Sequence, residues 1–484
     1  MQAAAPDLAL RMTERLRSDV CVIGAGSGGL SAAFIAAQLG ARTVLFEKGE
    51  MGGECLNTGC VPSKALLAAA RTAAEIRNAS RFGINAVPDV RFSLVMDHVR
   101  RAIAAIAPHD SAERFERLGV NVIRAQAQFT SRNGIAGGDC DLRARRIIIA
   151  TGSRPAIPPI PGLDQVPYLT NETIFSLPDL PRHLLIIGAG PEGAELAQAF
   201  ARLGSSVTVF ESERLLAKDE PELVDRLRRQ LTDDRVALRE HTRIANVMSG
   251  PDGVAITLGG TGERISGSHL LVAAGREMNP NSLALERAGI RFGREGIIVD
   301  ARLRTTQRHV YAIGDAIAGA HCFTHAANYQ AQIAVANALF GWPAKADYRL
   351  IPSVTYTDPE LAHLGMTESE ARAVYGDKVR VLTEELAEND RAQTDVAFPG
   401  AMKLIVARNG KIAGVSILAP HAGEMIQPWA LAVANRLRLS AFLKAVMPYP
   451  TLGEISKTAA QSVYMPRLFS RVPKALVRLR LTLG

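Results

Sequence analysis

The sequence predicts an α/β protein in which two copies of one strand–glycine loop–helix–strand unit precede a smaller α+β module. The motif Gly-x-Gly-x-x-Gly occurs twice, each time after a short apolar run. In both copies an acidic residue follows the first glycine by 23 positions. Beyond about residue 350 the pattern changes to hairpin-like strands and short helices, which indicates a mixed module of a different kind.

Both copies have the same order of elements: a buried strand, three loop glycines, a helix of small residues, a second strand and the acidic residue. The first copy has its strand at 19–23 and continues through Gly24, Gly26, Gly29 and Glu47. The second has its strand at 184–187 and continues through Gly188, Gly190, Gly193 and Glu211. Each copy also has a later segment that ends on glycine, at 147–152 and 270–275.

This order suits a bound dinucleotide. The first glycine makes a tight turn, the second lets the backbone approach a pyrophosphate, and the third lets the helix pack on the strand. The helix N-terminus offers free N–H groups to the phosphates, and the carboxylate accepts the ribose hydroxyls. Two ordinary strand–turn–helix units without a ligand are the alternative. The complete context in both copies favours two Rossmann-like domains that bind two different nucleotides.

Composition and charge narrow the class of protein. The 484 residues are enough for about three domains, and 47% hydrophobic with 21% charged residues is typical of a globular enzyme. Five of the eight net positive charges lie in 464–484, which has no acidic residue. Because aromatic and basic residues do not alternate, we expect no nucleic-acid partner. Residues 1–20 resemble neither a secretory signal nor a spanning helix, so we expect a cytoplasmic protein.

Cys55 and Cys60 are the strongest candidates for reactive residues. Gly52 and Gly53 precede them, and a strong helix pattern begins at Cys60, where the helix dipole stabilises a thiolate. Lys64 adds positive charge one turn later. A structural disulfide, a zinc half-site and two buried free thiols are the alternatives. The expected compartment, the lack of a second ligand pair and the flanking glycines favour a redox-active pair.

The segment Gly-Gly-Glu-Cys-Leu-Asn-Thr-Gly-Cys-Val-Pro-Ser-Lys resembles the flavoprotein disulfide reductases, the class I pyridine nucleotide-disulfide oxidoreductases. So do 150–155, 311–315 and 324–326. The resemblance covers about residues 18–465 and has the pattern of the mercuric reductase-like and dihydrolipoyl dehydrogenase-like branch. It implies an FAD-binding domain at 18–155 and 276–348, an NAD(P)-binding domain at 156–275, a C-terminal α+β dimerisation domain at 349–465, and a basic tail at 466–484.

The resemblance also implies a role for individual residues. Cys60 would face the flavin and Cys55 would exchange with the acceptor, while Lys64 and Glu195 would pair near flavin N5. Electrons would pass from NAD(P)H to FAD, then to the Cys55–Cys60 disulfide and to an acceptor. The protein would be a head-to-tail homodimer, and no metal ligand is expected. The implied cofactor-binding residues are Gly24, Gly26, Gly29, Glu47, Gly52, Gly53, Lys64, Thr151, Gly152, Ser153, Gly188, Gly190, Gly193, Glu211, Gly275, Gly314, Asp315 and Ala326.

Glu211 also bears on the choice of coenzyme. A carboxylate at this position accepts the free ribose hydroxyls of NADH and repels the 2′-phosphate of NADPH. Arg214 is near enough in sequence to weaken that discrimination. With Gly193 as the third glycine, the pattern favours NAD(H) over NADP(H).

The sequence departs from the family pattern on the acceptor side. Thiol-disulfide members have His-Pro-Thr-x-x-Glu, whose histidine moves protons, whereas this chain has Tyr449-Pro-Thr-Leu-Gly-Glu454. A phenol with a pKa near 10 exchanges protons poorly at neutral pH. Mercuric reductases also have tyrosine in this region, but they use a vicinal cysteine pair near the C-terminus, and the last cysteine here is Cys322. His421 is a substitute proton relay or, more simply, an interface histidine.

Three functional hypotheses follow from these residues. The leading one is an FAD enzyme that reduces a disulfide, a metal or another electrophile through Cys55 and Cys60, with Tyr449 and Glu454 on the acceptor side. The second is a dihydrolipoyl dehydrogenase that oxidises lipoamide with NAD and tolerates Tyr449. The third is a flavin redox sensor with low turnover.

The remaining features carry weaker expectations. In the basic tail, Leu476, Leu479 and Leu483 recur on one helix face. This face suits packing on the dimer or contact with an anionic membrane surface, and packing is preferred. The isolated cysteines, Cys21, Cys140 and Cys322, are expected to be structural.

Overall fold

The computed structural model describes residues 14–251, 253–278, 283–319, 321–396 and 400–483. These residues form two compact units. Unit 1 comprises the described parts of Met1–Pro62, Val99–Ala156 and Arg276–Ala346, and unit 2 those of Ser63–His98, Ile157–Gly275 and Asp347–Gly484. Among the described residues, no helix combines the length and the apolar character needed to cross a membrane.

The described residues contain 23 strands and 15 α-helices. The strands are β1 (Glu14–Ile23), β2 (Thr43–Phe46), β3 (Val120–Ile123), β4 (Gln128–Phe129), β5 (Gly134–Gly137), β6 (Cys140–Ile149), β7 (Ser153–Pro155), β8 (His183–Ile187), β9 (Ser206–Phe210), β10 (Val236–Arg239), β11 (Ile244–Gly250), β12 (Gly253–Leu258), β13 (Arg264–Gly267), β14 (His269–Val272), β15 (Arg276–Met278), β16 (Phe292–Gly293), β17 (Gly296–Ile297), β18 (Val310–Ala312), β19 (Ser353–Thr355), β20 (Glu360–Gly365), β21 (Val379–Glu385), β22 (Ala401–Ala407) and β23 (Ile412–Ala419). The helices are α1 (Ser27–Gln38), α2 (Gly53–Asn57), α3 (Cys60–Arg77), α4 (Phe92–Asp110), α5 (Ala112–Arg117), α6 (Pro191–Leu203), α7 (Pro221–Asp233), α8 (Thr324–Phe340), α9 (Glu368–Tyr375), α10 (Asp390–Thr394), α11 (Ala422–Met425), α12 (Gln427–Ala434), α13 (Ala441–Lys444), α14 (Ile455–Leu468) and α15 (Arg471–Leu483).

Unit 1 is built on a seven-stranded sheet in the order β3-β2-β1-β6-β5-β4, with β18 also paired to β6. The strands β1, β2, β3, β6 and β18 run parallel. The apolar residues at the carboxyl ends of β1, β6 and β18 and throughout β2 are buried, as parallel strands covered on both faces require. Because the carboxyl ends of parallel strands meet at one edge, the residues after β1, β2, β6 and β18 gather there.

Unit 2 contains the second repeat and the C-terminal module. The second repeat is a parallel four-stranded sheet in the order β10-β9-β8-β14, accompanied by the antiparallel sheet β11-β12-β13. The module has an antiparallel five-stranded sheet in the order β19-β20-β23-β22-β21. Its core includes the fully buried Trp429, which stacks on Phe442 at 4.2 Å and donates to Ser456 Oγ at 3.1 Å. Both repeats and the α+β module therefore form as predicted.

Most of the basic tail forms α15, while residues 466–468 belong to the end of α14, and the side chains of α15 are largely exposed. Val472, Leu476 and Leu479 are 57–69% exposed. The side chain of Leu483 lies outside the described residues. The amphipathic pattern predicted from the sequence is therefore present as a helix, and its packing against a second copy stays a prediction.

Candidate active site

Both glycine loops have the close approaches that a bound pyrophosphate requires. The first glycines, Gly24 and Gly188, have φ of 104° and 108°. A Cβ on the third, Gly29 or Gly193, would lie 1.8 or 2.0 Å from the carbonyl oxygen of that first glycine. A Cβ on Gly190, in contrast, would meet nothing within 4 Å. The third position is therefore closed by packing, and the second repeat's middle position is open at the helix N-terminus, where a phosphate would bind.

The acidic residue of each copy is bonded to its own loop in the same way. Glu47 Oε2 accepts from the N–H of Ala25 at 2.5 Å, and Oε1 accepts from the backbone two residues on at 2.7 Å. Glu211 Oε2 accepts from the N–H of Ala189 at 2.8 Å, and Oε1 from the backbone two residues on at 3.0 Å. Each carboxylate oxygen has further lone pairs. Both side chains are thus fixed beside a loop and still able to accept ribose hydroxyls.

The glycine pair before Cys55 lies against the first loop. Gly52 and Gly53 have φ of 85° and 60°. A Cβ on Gly53 would lie 2.6 Å from Gly26 Cα, so the two backbones touch where a side chain has no room. This contact holds the start of α2, which carries Cys55, against the glycine loop of the first repeat.

Arg276, which no motif indicated, connects three segments of unit 1. Its Nε donates to Ser153 Oγ at 2.6 Å, and its Nη2 donates to Glu54. Ser153 Oγ donates to Asp315 Oδ2 at 2.7 Å, and Arg276 Nε lies 3.6 Å from the same oxygen. Ser153 and Asp315 are therefore brought together, and both are linked to the residue before Cys55.

Other residues predicted to bind a cofactor lie at the carboxyl ends of strands. Thr151 and Gly152 follow β6, and Gly314 follows β18, where its N–H donates to Gln330 Oε1 at 2.6 Å. Ala326 is buried in the first turn of α8. In unit 2, Gly275 follows β14.

Cys55 and Cys60 are present as two free thiols. Cys55 lies half-buried in α2, and Cys60 is the first residue of α3. The hydrogen bond to Cys60, followed by burial, raises the pKa of the Cys55 thiol far above its usual range. Thr324 Oγ1 lies 3.4 Å from Cys60 Sγ. The Cys55 thiol therefore gives up its proton less readily than an ordinary cysteine, and Cys60 lies at the helix N-terminus that the sequence predicts for it.

Cys55 also lines a cavity of about 360 Å³ in unit 1, which we call the Cys55 cavity. Its walls include Leu30 and Phe34 from α1, Asp110 from the end of α4, and Arg114 from α5. A volume of this size suits a small molecule. The sulfur that the motif assigns to acceptor exchange thus lines an open cleft that a small molecule can enter.

Lys64 and Glu195, both in unit 2, form an ion pair. Lys64 Nζ lies 2.8 Å from Glu195 Oε2, and the carboxylate is 6% exposed. Its other oxygen accepts from the N–H of Tyr356 at 2.8 Å, and the Tyr356 ring centroid lies 4.4 Å from Lys64 Nζ. The structure brings together the two residues that the motif pairs, and it adds Tyr356, which has no sequence signal of its own.

Tyr449 lies in an arrangement that the sequence did not predict. It is 71% exposed, and its hydroxyl donates to Asp390 Oδ2 at 2.8 Å. This hydrogen bond, with the charge of Asp390, raises the pKa of Tyr449 above its usual value. The side chain of Glu454 accepts from the N–H of Thr451 at 3.3 Å within a capping box. In the described residues, Glu454 therefore caps a turn, and Tyr449 is a phenol that holds its proton near neutral pH.

Two residues singled out from the sequence have local roles. Arg214 Nη2 donates to the backbone oxygens of Ala217 at 2.9 Å and Asp219 at 3.0 Å. Its guanidinium is thus directed to the chain itself. His421 is exposed, has φ of 58° and precedes α11, and no described contact assigns it a proton relay.

The three other cysteines differ in their surroundings. Cys21 is fully buried in β1, as expected for a core residue. Cys140 begins β6. Cys322 is exposed as a residue, and partial desolvation of its sulfur, followed by the charge of Asp315, raises its pKa to about 11. Cys322 therefore lies beside a residue predicted to bind the cofactor and remains a thiol at neutral pH.

One carboxylate cluster in unit 2 has the spacing of a metal site. Glu220, Glu222 and Glu368 have oxygens within 4.8 Å of one another. Lys403 Nζ lies 2.9, 2.7 and 2.7 Å from these three carboxylates. An ammonium group thus occupies the position that a cation would take.

Comparisons with known proteins agree with this architecture. A family model described as pyridine nucleotide-disulphide oxidoreductase matches residues 18–338, and the dimerisation domain of the same family matches residues 351–460. A mercuric reductase of Streptomyces lividans is 35% identical over 456 residues, 92% of this chain and 96% of that protein. Dihydrolipoyl dehydrogenase 3 of Pseudomonas aeruginosa is 34% identical over 462 residues, 92% of this chain and 98% of that protein. A Cu(II) complex of the HOCl-induced flavoprotein disulfide reductase RclA of Escherichia coli is 26% identical with a TM-score of 0.82, covering 91% of this chain and 98% of that one.

Two nucleotide-binding repeats, a cysteine pair and a dimerisation domain define an NAD(P)H-dependent flavoprotein oxidoreductase. The chain belongs to the class I pyridine nucleotide-disulfide oxidoreductase family. The predicted family and fold class are therefore confirmed. FAD and a pyridine nucleotide are the cofactors that the family supports, and the dimerisation domain supports a homodimer.

Proposed function

We propose that this enzyme uses NADH to reduce FAD and then the Cys55–Cys60 disulfide, and that Cys55 passes the electrons to a disulfide, a metal or another electrophile. The contact between the two sulfurs, beside a cavity that reaches Cys55, carries this proposal. This range of acceptors is the one that the mercuric reductase-like pattern of the sequence implies.

The residues of the first repeat fit FAD. The loop of Gly24, Gly26 and Gly29 admits a pyrophosphate, and Glu47 has lone pairs for the adenosine ribose. Asp315, held by Ser153, is assigned to the ribityl chain by its motif. When bound, FAD supplies the chemistry that converts a hydride from nicotinamide into an electron pair for the disulfide. We assign residues 18–155 and 276–348 to FAD binding and 156–275 to nicotinamide binding.

The chain's own residues control the thiols and the approach of the coenzyme. Cys60, at the N-terminus of α3, is favoured as a thiolate, while Cys55 retains its proton. Lys64 and Glu195 form a fixed ion pair, to which we assign the position at flavin N5 that the motif implies. Cys55 faces the cavity and is the sulfur proposed to attack the acceptor.

NADH is the proposed coenzyme. Glu211 places a carboxylate at the end of β9, where a 2′-phosphate would be repelled. Arg214, the nearby cation that would offset this charge, donates to backbone oxygens of its own turn. The ratio of kcat/KM for NADH and NADPH tests this preference directly.

Lipoamide oxidation is disfavoured by Tyr449. The phenol donates to Asp390, and its raised pKa keeps it protonated where a histidine would exchange protons. The proposed function is therefore tested by electron uptake from NADH and not by turnover of lipoamide.

Anaerobic titration with NADH tests the proposal. The wild type is expected to take up two electrons for the flavin and two for the disulfide, and to develop the long-wavelength absorbance of a thiolate beside flavin. Cys60→Ser should take up only the flavin's pair and lose this absorbance. Cys140→Ser, a change of a cysteine outside the pair, should match the wild type. Uptake of only one pair by the wild type would overturn the proposal.

A further inference from the structure

The Cys55 cavity contains two charged side chains among its described lining residues, Asp110 and Arg114. The rest of the wall consists of apolar groups, hydroxyls and an amide. Arg114 Nη1 donates to the backbone oxygen of His109, so part of its donor set is used within the wall. Asp110 is therefore the carboxyl group that an acceptor bound at Cys55 would meet.

Asp110 lies against Gly52, just before the helix that carries Cys55. A Cβ on Gly52, three residues before Cys55, would lie 3.1 Å from Asp110 Oδ2. The side chain is half-buried at the C-terminal end of α4, and its carboxylate makes no hydrogen bond to any residue that the structure describes. Its oxygens are thus available to a molecule in the cavity.

Thiol-disulfide exchange requires a proton at this place. Attack by the Cys55 sulfur forms a mixed disulfide and breaks the acceptor's S–S bond, and the departing sulfur takes the electron pair. Cys60 then forms the Cys55–Cys60 disulfide and releases the second acceptor sulfur. With Cys60 as a thiolate, the pair gives up one proton, that of the Cys55 thiol, to an acceptor sulfur, and the other acceptor sulfur takes its proton from solvent. A group that transfers these protons speeds the reaction, because alkyl thiolates are poor leaving groups.

We propose that Asp110 is the residue that transfers protons between Cys55 and an acceptor disulfide bound in the Cys55 cavity. In the thiol-disulfide motif a histidine transfers these protons. Tyr449 stands at that position here but donates its hydroxyl proton to Asp390, and we assign the transfer to Asp110 instead. The proposal rests on the proposed use of Cys55 as the exchanging thiol.

The electrostatic surroundings of Asp110 suit this task. Burial raises its pKa above that of an ordinary aspartate, although Arg114 from α5 and His109 from its own helix act in the opposite direction. Cys55 lines the same cavity. A raised pKa brings the carboxyl group closer to the range in which it can exchange protons with a thiol.

The test uses two disulfides with different leaving groups. Enzyme reduced with NADH, or separately with dithiothreitol, is mixed with hydroxyethyl disulfide or with the aromatic disulfide dithiobis-nitrobenzoate, and reoxidation is followed in a single turnover. Asp110→Asn should slow the reaction with hydroxyethyl disulfide by about 10- to 100-fold. It should change the reaction with the aromatic disulfide by less than about twofold, because that thiolate leaves without a proton.

Matched variants separate proton transfer from a loss of structure. Asp110→Glu should recover part of the rate, and Glu113→Gln, which removes an exposed carboxylate three residues away, should match the wild type. In the wild type, the ratio of the two rates should fall as the pH rises through the pKa of Asp110, and in Asp110→Asn it should be flat. Equal slowing of both reactions, or of neither, overturns the proposal.

The same experiment distinguishes the failure of this proposal from a failure of the proposed function. Asp110→Asn should keep full electron uptake from NADH and the thiolate–flavin absorbance. If the wild type lacks these, the proposed function is refuted by the NADH arm. If they are present and Asp110→Asn shows no dependence on the leaving group, only the role of Asp110 is refuted.

Discussion

Replacing Lys403 with methionine removes the cation from three carboxylates. The ammonium is 3% exposed and its partner Glu220 is 2% exposed, so the variant leaves a buried carboxylate with its charge unopposed. Removal of one member of a buried ion pair costs about 3–5 kcal/mol. With about 2–4 °C per kcal/mol for a large domain, Tm should fall by roughly 10 °C. Differential scanning fluorimetry of the purified holoenzyme measures this shift.

The stability lost in Lys403→Met should depend on pH. Hydrogen bonds from Lys403 and then Arg372 lower the pKa of Glu368. A lowered pKa stabilises the fold above the unfolded value, about 4.3 for glutamate, and this contribution is lost as the pH falls through the folded value. The difference between the wild type and Lys403→Met should therefore be large near neutral pH and shrink on acidification.

Calcium provides a second readout. In Lys403→Met, the three carboxylates lie within 4.8 Å of one another with no ammonium between them, and hard cations bind such oxygens. Calcium chloride at a hundredfold excess over Kd should add about 2.7 kcal/mol to the free energy of unfolding of this variant and so raise its Tm. The Tm of the wild type should not change. Glu222→Gln, which alters a side chain that is 65% exposed, should cost at most about 1 kcal/mol. A Lys403→Met protein with the same Tm as the wild type, with or without calcium, would refute the reasoning.

Three further predictions concern the nucleotide and acceptor sides. Glu211→Ala should raise the kcat/KM of NADPH relative to NADH by about tenfold, the effect of 1.4 kcal/mol of relieved repulsion, and an unchanged ratio in steady-state kinetics would count against Glu211 as the discriminating residue. Gly190→Ala should leave Tm unchanged, because its Cβ meets nothing within 4 Å, but should raise the KM for the coenzyme by about tenfold. Gly193→Ala should instead lower Tm, because its Cβ would lie 2.0 Å from a carbonyl oxygen. Tyr449→Phe should change single-turnover reduction of hydroxyethyl disulfide by less than about twofold, since the phenol donates to Asp390, and a larger loss that varies with pH would show that Tyr449 transfers protons.

The features that the sequence predicted well are those with local causes. The close packing of Gly29 follows from a contact with Gly24, five residues earlier, and the position of Glu47 follows from the end of a neighbouring parallel strand. Cys60 at a helix N-terminus was likewise readable from the residues that follow it. Such features depend on spacing and on backbone geometry, which a motif records directly.

The features that the sequence missed depend on contacts between distant segments. Arg276 reaches Glu54 across 222 positions, and the charge directly after Gly275 was the signal that could have indicated it. The partner of Tyr449 is Asp390, 59 residues earlier, and no spacing rule relates them. Asp110 belongs to no motif and gains its significance from the cavity alone. The domain boundaries inferred from the family pattern stay predictions.

The discontinuity of unit 1 has a consequence for synthesis on the ribosome. β6 pairs with β18, Glu54 accepts from Arg276, and Cys60 contacts Thr324. The N-terminal segment therefore cannot complete its contacts until residues synthesised much later are available. Contacts of such sequence separation form slowly, and exposed strand edges on an incomplete chain invite aggregation. Nascent chains released before about residue 346 therefore lack a finished unit 1. Truncations for expression should preserve all three of its segments.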